Sequence, residues 1–355
     1  MTRTKLNCPP GSVVYTGLFK NTLTTIEVYT YDNSGATYYV FTDDDIESEL
    51  VPLLNTDRKI WINVIGLNVT DTIIKLGEIF GLTAMVLEDI VHVAQRSKIE
   101  INGSYLFSLF KMLYQNTDRA GNLTDEVKHE HLSIIMMDQM LITLQENEGD
   151  VFNGIRNRLL KEQTPLRTNS IDYLYYELID ALVDNQLEIL ENMGEKIDKY
   201  EQMTLDDETY AMEEIFKIRK QLILIRASVM PFKDIMVELL SKSNTLISEE
   251  VKVYLLDVQD HIQHVNDLVV LSREMVNNIY EINMLNTGNK MNHIMSVLTV
   301  FSAVFIPLNF MTGYFGMNFV HFPGLDHPQA IPIFVTIVAI IATSMIVFFK
   351  KKKWF

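Results

Sequence analysis

Residues 291–349 read MNHIMSVLTVFSAVFIPLNFMTGYFGMNFVHFPGLDHPQAIPIFVTIVAIIATSMIVFF, with no Lys or Arg and a single acid, Asp326. This stretch contains two apolar segments, 294–311 and 331–349, joined by a short loop. An α-helix rises about 1.5 Å per residue, so the second segment covers about 28 Å, close to the thickness of the bilayer hydrocarbon. A buried helical hairpin is the alternative, but a lysine cluster directly after the second segment favours two transmembrane helices.

The lysines at 350–353 also predict the topology. Positive charge beside a span marks its cytoplasmic end, so the C-terminus and the residues before 291 are expected in the cytoplasm. The loop between the spans then faces outside. Residues 1–11 lack the apolar core of a cleavable signal. We therefore expect a multi-pass protein of the cell (inner or plasma) membrane.

The composition of the remaining chain limits its function. The formal net charge of the whole chain is -16, and this charge argues against nucleic acid or anionic lipid headgroups as partners and favours cations, although simple solubility is the preferred explanation on composition alone. The lone Cys8 excludes a disulfide framework and a cysteine zinc site. We find no nucleophile and base pair and no phosphate-binding loop, so neither an enzyme nor an organic cofactor is predicted.

Hydrophobic patterning divides the chain into six parts. Residues 1–165 form a mixed α/β domain, 166–246 an acidic helical hairpin, 247–312 a stalk helix running into transmembrane helix 1, 313–330 the external loop, 331–349 transmembrane helix 2 and 350–355 a basic tail. In the first part, strands are predicted at 12–15, 25–31, 37–41, 59–65, 98–101, 105–114, 131–137 and 139–145. Helices are predicted at 71–80, 84–93 and 151–160, with Thr70 and Thr83 as N-caps.

The helical half has longer elements. Helices are predicted at 171–205 and 210–240, with Pro231 as a kink or break, and a third helix begins after Ser248. This third helix has no clear stop before residue 310, a length of about 90 Å. Such a helix needs neighbours along its flank, so we expect oligomerisation around an axis.

Small and polar residues follow one face of the first span. The residues recur at steps of three and four: Asn292, Met295, Thr299, Ser302, Ile306, Asn309 and Gly313. Such a stripe indicates either close helix packing or the lining of a water-filled path. Its two Asn favour a pore.

These segments resemble the CorA family of magnesium channels. The resemblance rests on IPLNF at 306–310, Gly313, the tripeptide Gly316-Met317-Asn318, the second span and KKKKW at 350–354. It extends to VLEDI at 86–90, GDVF at 149–152, DYL at 172–174, IDALVD at 179–184 and Asp257 with Asp260-His261. It implies an α+β cytoplasmic domain followed by long α-helices and two C-terminal transmembrane helices, assembled as a funnel-shaped homopentamer in the bilayer.

The resemblance also assigns roles to residues. The selectivity filter is Gly316, Met317 and Asn318; the pore is lined by Asn292, Leu298, Ile306, Asn309 and Gly313; and a basic ring is formed by Lys350, Lys351, Lys352 and Lys353. Glu88, Asp89 and Asp257 match regulatory metal sites between subunits, with Asp180 as a further candidate. Mg²⁺ is then both substrate and regulatory ligand. The implied function is potential-driven influx of Mg²⁺, with cobalt and nickel as further cargo.

Several alternatives stay open. Asp257, Asp260, His261, His264 and Asp267 share a helical face, which indicates either a transition-metal site or, more simply, a polar stalk face. Because His261, His264, His321 and His327 are potential transition-metal ligands, a zinc or other transition-metal transporter of the same fold is the second possibility. A non-conducting, membrane-anchored metal sensor or scaffold is the third possibility.

Overall fold

The computed structural model describes residues 8–117, 123–161, 164–205, 211–241, 244–317, 327–352 and 354. They divide into two units, one within Met1–Glu201 and Tyr210–Val276 and the other within Gln202–Thr209 and Asn277–Phe355. In the described ranges the strands are β1 Thr25–Asp32, β2 Gly35–Phe41, β3 Lys59–Ile65, β4 Lys98–Asn102, β5 Tyr105–Thr117, β6 Leu123–Met136 and β7 Met140–Gln145. The α-helices are α1 Val51–Leu54, α2 Thr70–Phe80, α3 Ala84–Val91, α4 Asn153–Leu160, α5 Pro165–Thr168, α6 Ile171–Leu205, α7 Ala211–Leu239, α8 Glu249–Phe315 and α9 Ala330–Lys351.

The strands of the first unit form one sheet in the order β2-β1-β3-β7-β6-β5-β4. All neighbouring strands are antiparallel except β3 and β7, which are parallel. The turn between β1 and β2 is held by the Oδ1 atom of Asp32, which accepts hydrogen bonds from the backbone nitrogens of Ser34 (2.8 Å) and Gly35 (3.0 Å). Aspartate commonly stabilises a turn in this way.

Helices cover both faces of the sheet. Apolar residues of α2 and α3, such as Ile73 and Ile90, share a core with strand residues that include Phe107. Successive strand residues point to opposite faces. Accordingly, Ser108 accepts a hydrogen bond of 3.0 Å from the Tyr175 hydroxyl of α6, and the ring of Phe110 lies 4.9 Å from that of Phe232 in α7.

The long helices agree with the predicted pattern. The predicted helix 171–205 is confirmed as α6, and the predicted start after Ser248 is confirmed, because its Oγ accepts a hydrogen bond of 3.3 Å from the Val251 backbone nitrogen. Helix α8 continues through the apolar segment to Phe315, three residues beyond the predicted boundary at residue 312. Helices α8 and α9 are both long and apolar enough to cross a membrane.

Two local predictions are wrong, and a third is wrong in part. Residues 12–15 form no strand. The chain here lies beside the end of α3 instead, and the nitrogen of Thr16, the next residue, donates a hydrogen bond of 3.2 Å to the Val91 carbonyl. Thr70 is the first helical residue rather than the N-cap, which is Val69. Of the kink or break predicted at Pro231, the break does not occur, because Pro231 lies inside α7 and the buried Val229 and Phe232 on either side anchor the helix by packing.

Candidate functional site

One face of the apolar half of α8 is covered by the C-terminal part of the chain. The Ser296 hydroxyl donates a hydrogen bond of 2.5 Å to the Trp354 carbonyl, and the ring of Phe315 lies 5.2 Å from that of Phe334 in α9. Less exposed residues recur between these two contacts at steps of three and four: Val300, Val304, Leu308 and Met311. Residues at this spacing share one face of a helix, and α9 packs along it.

The polar stripe lies on the other side of α8. Ile306 is 66% exposed, whereas Val304 is only 8% exposed. Ile306 and Val304 are two positions apart, which corresponds to about 200° around a helix of 3.6 residues per turn, so their side chains lie on nearly opposite sides of α8. Asn292, Thr299, Asn309 and Gly313 are exposed as well. Within the second unit, the stripe therefore occupies the face that α9 leaves uncovered.

The predicted filter begins where α8 ends. The nitrogen of Gly316 donates to the Thr312 carbonyl over 2.9 Å, and that of Met317 donates to the Tyr314 carbonyl over 3.4 Å. A Cβ at position 316 would lie 3.0 Å from the Thr312 oxygen, a contact that real Cβ atoms rarely make. Glycine is thus favoured at this position by close backbone approach. Asn318 lies outside the described residues.

The predicted basic ring begins in the last turn of α9. Lys350 and Lys351 lie in its last turn, where positive charge interacts favourably with the helix dipole. The Lys352 nitrogen donates to the Phe348 carbonyl over 3.1 Å. Lys353 lies outside the described residues.

Glu88 and Asp89 are presented by the short helix α3. Its N-cap is Thr83, as predicted, whose hydroxyl accepts a hydrogen bond of 3.4 Å from the Val86 nitrogen. The Glu88 carboxylate accepts a hydrogen bond from the Gly11 nitrogen. Asp89 is 7% exposed, and its Oδ2 atom lies 2.6 Å from the Lys98 ammonium. The buried carboxylate of Asp89 is therefore already paired with a cation of its own chain.

Lys98 also contacts a second acid, because its ammonium lies 2.5 Å from the Glu100 carboxylate. Partial burial lowers the pKa of Lys98, but the hydrogen bonds to Asp89 and Glu100 outweigh this, and the net pKa is raised. Lys98 is consequently charged over the whole physiological range.

Asp180 lies in a different setting, on α6. Ligand atoms of Asp180, Asp184 and His261 all lie within 4.8 Å of one another. Burial, followed by the charges of Asp184 and Glu177, raises the pKa of Asp180 to about 6, while His261 opposes this shift and Asp257 adds to it. Among the described residues, Asp180, Asp184 and His261 are the one group of three acids or imidazoles whose ligand atoms lie close enough together to hold a metal ion. Glu88, Asp89 and Asp257 do not form such a group within one chain.

Comparison with known proteins identifies the family. The family model described as "CorA-like Mg2+ transporter protein" matches residues 58–353. The chain belongs to the CorA family. It is 34% identical over 351 residues to the "Cobalt/magnesium transport protein CorA" of Thermotoga maritima, covering 99% of this chain and 97% of that protein. The "Zinc transport protein ZntB" of Yersinia enterocolitica is 23% identical over 245 residues, which is 67% of this chain and 73% of ZntB.

Solved structures agree on the fold. The complete structure of the CorA magnesium transporter from Methanocaldococcus jannaschii superposes with a TM-score of 0.76 at 19% identity, covering 94% of this chain and 99% of that one. The expected architecture of a mixed α/β domain, long helices and two C-terminal apolar helices is confirmed. As a CorA protein, the chain is a membrane transporter of divalent metal ions.

The CorA resemblance missed some residues of these clusters. The resemblance assigns no role to Lys98 or Asp184, and the sequence groups His261 with Asp257, Asp260, His264 and Asp267 rather than with Asp180. The spacing of Asp180 and Asp184 was a usable signal, since residues four apart lie on the same helical face. Their approach to His261 and the pairing of Lys98 with Asp89 are tertiary contacts, for which the sequence carried no signal.

Proposed function

We propose that this CorA protein is a homopentameric channel for Mg²⁺, with Co²⁺ and Ni²⁺ as further cargo. Five copies of α8 surround the path and five copies of α9 lie outside them. The first unit and the C-terminus are on the cytoplasmic side of the cell membrane. The external loop then carries the filter residues Gly316, Met317 and Asn318 at the outer mouth.

The observation that carries this proposal is the position of the polar stripe. Asn292, Ile306, Asn309 and Gly313 lie on the face of α8 that α9 leaves uncovered. Asn side chains facing lipid are unfavourable because hydrocarbon offers them no hydrogen-bond partner. A water-filled axis formed by five copies hydrates them. Leu298, which is 63% exposed, lies beside the stripe and joins Ile306 as an apolar constriction that closes by losing water.

The neutral character of this path suits the ion. Mg²⁺ gives up its water shell reluctantly. Amide oxygens such as that of Asn309 bind the waters of a hydrated ion without replacing them, and they do not trap the ion as a carboxylate ring does. The basic ring of Lys350, Lys351, Lys352 and Lys353 marks the cytoplasmic exit.

The membrane potential drives the flux. A divalent ion gains roughly 4.6 kcal/mol per 100 mV, equivalent to a concentration ratio of about 2,000-fold. Uptake of this strength requires an off state. We assign it to Mg²⁺ bound between subunits by Glu88 and Asp89 of one copy and Asp257 of the next. The exposure of Asp257 leaves it accessible to a neighbouring subunit. Asp180 is a further candidate for this set.

Bound Mg²⁺ stabilises the closed assembly because it cancels the repulsion between carboxylates of neighbouring copies. Loss of the ion then favours separation of these surfaces and opening of the pore. A ligand shifts such an equilibrium only by its difference in affinity for the two states. An interface site meets this condition, since its ligands converge only in the closed state.

Ion flux into liposomes tests the proposal. Purified protein is reconstituted with a magnesium-sensitive dye inside, an inside-negative potential is imposed, and Mg²⁺, Co²⁺ and Zn²⁺ are compared. We expect Mg²⁺ influx that Asn318→Ala abolishes, whereas Asn33→Ala, in the exposed β1–β2 turn, leaves it unchanged. Absence of flux for every ion at low internal Mg²⁺ contradicts a channel and favours the non-conducting sensor or scaffold.

A zinc transporter is the second candidate. It is favoured by the similarity to ZntB and by the histidine in the cluster with Asp180 and Asp184. In the same liposomes, Zn²⁺ influx that Mg²⁺ does not inhibit supports this candidate. Competition between the two ions for one Asn318-dependent path supports the magnesium channel.

A further inference from the structure

A cavity of about 570 Å³ lies within the first unit, between the segment that follows α3 and the middle of α7. Strands β5 and β6 contribute Lys111 and His129 to its wall. Its volume falls in the range of about 300–1,000 Å³ that is typical of pockets for small molecules. The residues of the wall are different from those assigned to metal binding and to the pore.

The wall of the cavity carries positive charge. Arg96, Lys111 and Arg226 line it, and none of the described residues in the wall is Asp or Glu, although the chain has 46 acidic and only 30 basic side chains. Arg226 forms no ion pair with any described residue. Arg96 pairs with Asp234 over 3.2 Å, but both side chains are largely exposed, and such pairs are weak. Both guanidinium groups are therefore available to an anion.

Ser97 provides a second, independent observation. It lies in the wall of the cavity and is 6% exposed, and its buried Oγ atom has no hydrogen-bond partner. Buried hydroxyl groups normally have a partner, because water no longer reaches them. A ligand oxygen in the cavity can accept the hydrogen bond that this hydroxyl does not otherwise donate.

Lys111 indicates the charge of the ligand. Its side chain is 6% exposed, and its ammonium donates to the Val93 carbonyl and lies 3.1 Å from the Nδ1 atom of His131. Burial lowers the pKa of Lys111 to about 8, although the charge of Glu146 opposes this shift. A buried ammonium with so little compensating charge is stabilised when an anion binds nearby.

The donor set selects the class of anion. Guanidinium groups donate paired hydrogen bonds to phosphate and carboxylate oxygens. A phosphate group offers three acceptor oxygens and a charge of about -1.5 to -2, so it satisfies two guanidinium groups and a hydroxyl better than a single carboxylate does. On the α7 side the wall is apolar, with Ile223, Ala227 and Met230, which suits an organic group attached to the phosphate. The net charge of -16 disfavours approach to an anionic lipid surface and therefore favours a soluble ligand.

We propose that this cavity binds a soluble organic phosphate of about nucleotide size. Arg96, Arg226 and the Ser97 hydroxyl contact the phosphate, and the organic part lies against α7. Ser97 directly precedes Lys98, the partner of Asp89, so the ligand lies beside the segment that carries this pair. The proposal does not depend on conduction by the pore.

Calorimetric titration of ADP into the purified full-length protein in detergent tests the site. Divalent metal is removed beforehand, so that ADP cannot bind through a metal ion. We expect one ADP per chain, weaker binding of inorganic phosphate because it leaves the apolar wall uncovered, and no binding of adenosine because it lacks the charge. Arg226→Gln should weaken ADP binding at least about tenfold, a change of 1.4 kcal/mol, and Ser97→Ala about threefold to tenfold.

The matched control is Lys220→Gln, which removes a positive charge from an exposed position of α7 outside the cavity wall and should leave ADP affinity unchanged. Ser97→Ala separates binding from folding, because it removes a hydroxyl that has no partner in the free protein and should not lower the melting temperature without ADP. If Arg226→Gln fails to fold, Ser97→Ala decides.

Three results overturn the proposal. The first is equal ADP affinity in Arg226→Gln, or in Ser97→Ala, and the unmodified protein. The second is binding of adenosine or of inorganic phosphate as tight as that of ADP. The third is an equal loss of affinity in Lys220→Gln and Arg226→Gln, since ADP would then respond only to the overall charge of the protein.

Discussion

The acids on α3 and the polar stripe on α8 differ in charge, burial and pairing. Asp89 is buried and lies 2.6 Å from Lys98, so its charge is compensated within the chain. Apart from the half-buried Ser302, the stripe is exposed on a helix whose apolar half carries no Lys, Arg, Asp or Glu from 291 to 315. Charged ligands bind a cation tightly and release it slowly, whereas neutral ligands let it pass. Under the proposed function, tight binding of the ion and its passage are therefore assigned to different regions of one chain.

The largest effect is expected from removing a neutral polar group of the stripe. Asn309→Leu adds an apolar ring to the path, and a barrier higher by 1.4 kcal/mol or more slows flux about tenfold or more. The measurement is Mg²⁺ influx into liposomes at fixed potential. Phe301→Leu, which changes an exposed residue of α8 outside the stripe, is the control. Equal flux in Asn309→Leu and the unmodified protein shows that this face does not line the path.

A charge reversal on the stalk part of α8 tests the other region. In Asp257→Lys the added ammonium repels Mg²⁺ at the proposed interface, so protection of the protein against protease by millimolar Mg²⁺ should disappear. Asp267→Lys reverses an exposed charge further along the same helix and should retain protection. Undiminished protection in Asp257→Lys removes this residue from the regulatory site.

A smaller effect of opposite sign is expected at Lys98. Its ammonium competes with Mg²⁺ for the Asp89 carboxylate, so Lys98→Met should lower the Mg²⁺ concentration needed for protection by about 3-fold to 10-fold. Lys128→Met, which removes a partly exposed lysine 3.5 Å from Glu126, should change nothing. A higher Mg²⁺ requirement in Lys98→Met instead means that Lys98 orients Asp89 for the metal.

The same contrast explains what could be predicted from the sequence. The stripe was found by spacing alone, because a helix converts steps of three and four into a face, and the start of α8 was found from Ser248 and the two acids after it. The partners of Asp89 and Asp180 could not be found in this way. They depend on β4 passing beside α3 and on α6 packing beside α8, and no local pattern encodes those contacts. Of the kink or break predicted at Pro231, the break is absent for a related reason, since burial on both sides of the proline outweighs its local cost.

The smallest expected effect concerns Glu130, a buried acid of β6. Burial raises the pKa of Glu130 to about 8, and the charges of Glu146 and Asp150 add to it, against a hydrogen bond of 2.7 Å from the Asn147 nitrogen that lowers it. The folded pKa lies above the unfolded value of about 4.5. The unfolded chain therefore releases this proton first as the pH rises. The stability contributed by Glu130 is complete below pH 4.5 and is lost progressively up to about pH 8.

Glu130→Gln keeps an oxygen that can accept from Asn147 but has no proton to lose. Its melting temperature relative to the unmodified protein should rise by a few degrees between pH 5.5 and pH 7.5, measured on the full chain in detergent. Lys111, His131 and Glu146 also have shifted pKa values nearby, but they are common to both proteins and largely cancel in the difference. Glu126→Gln on the same strand is exposed and should show no such trend. A constant difference across this range means that Glu130 is already ionised in the folded protein, and that the first unit tolerates a buried charge without the pairing seen at Asp89.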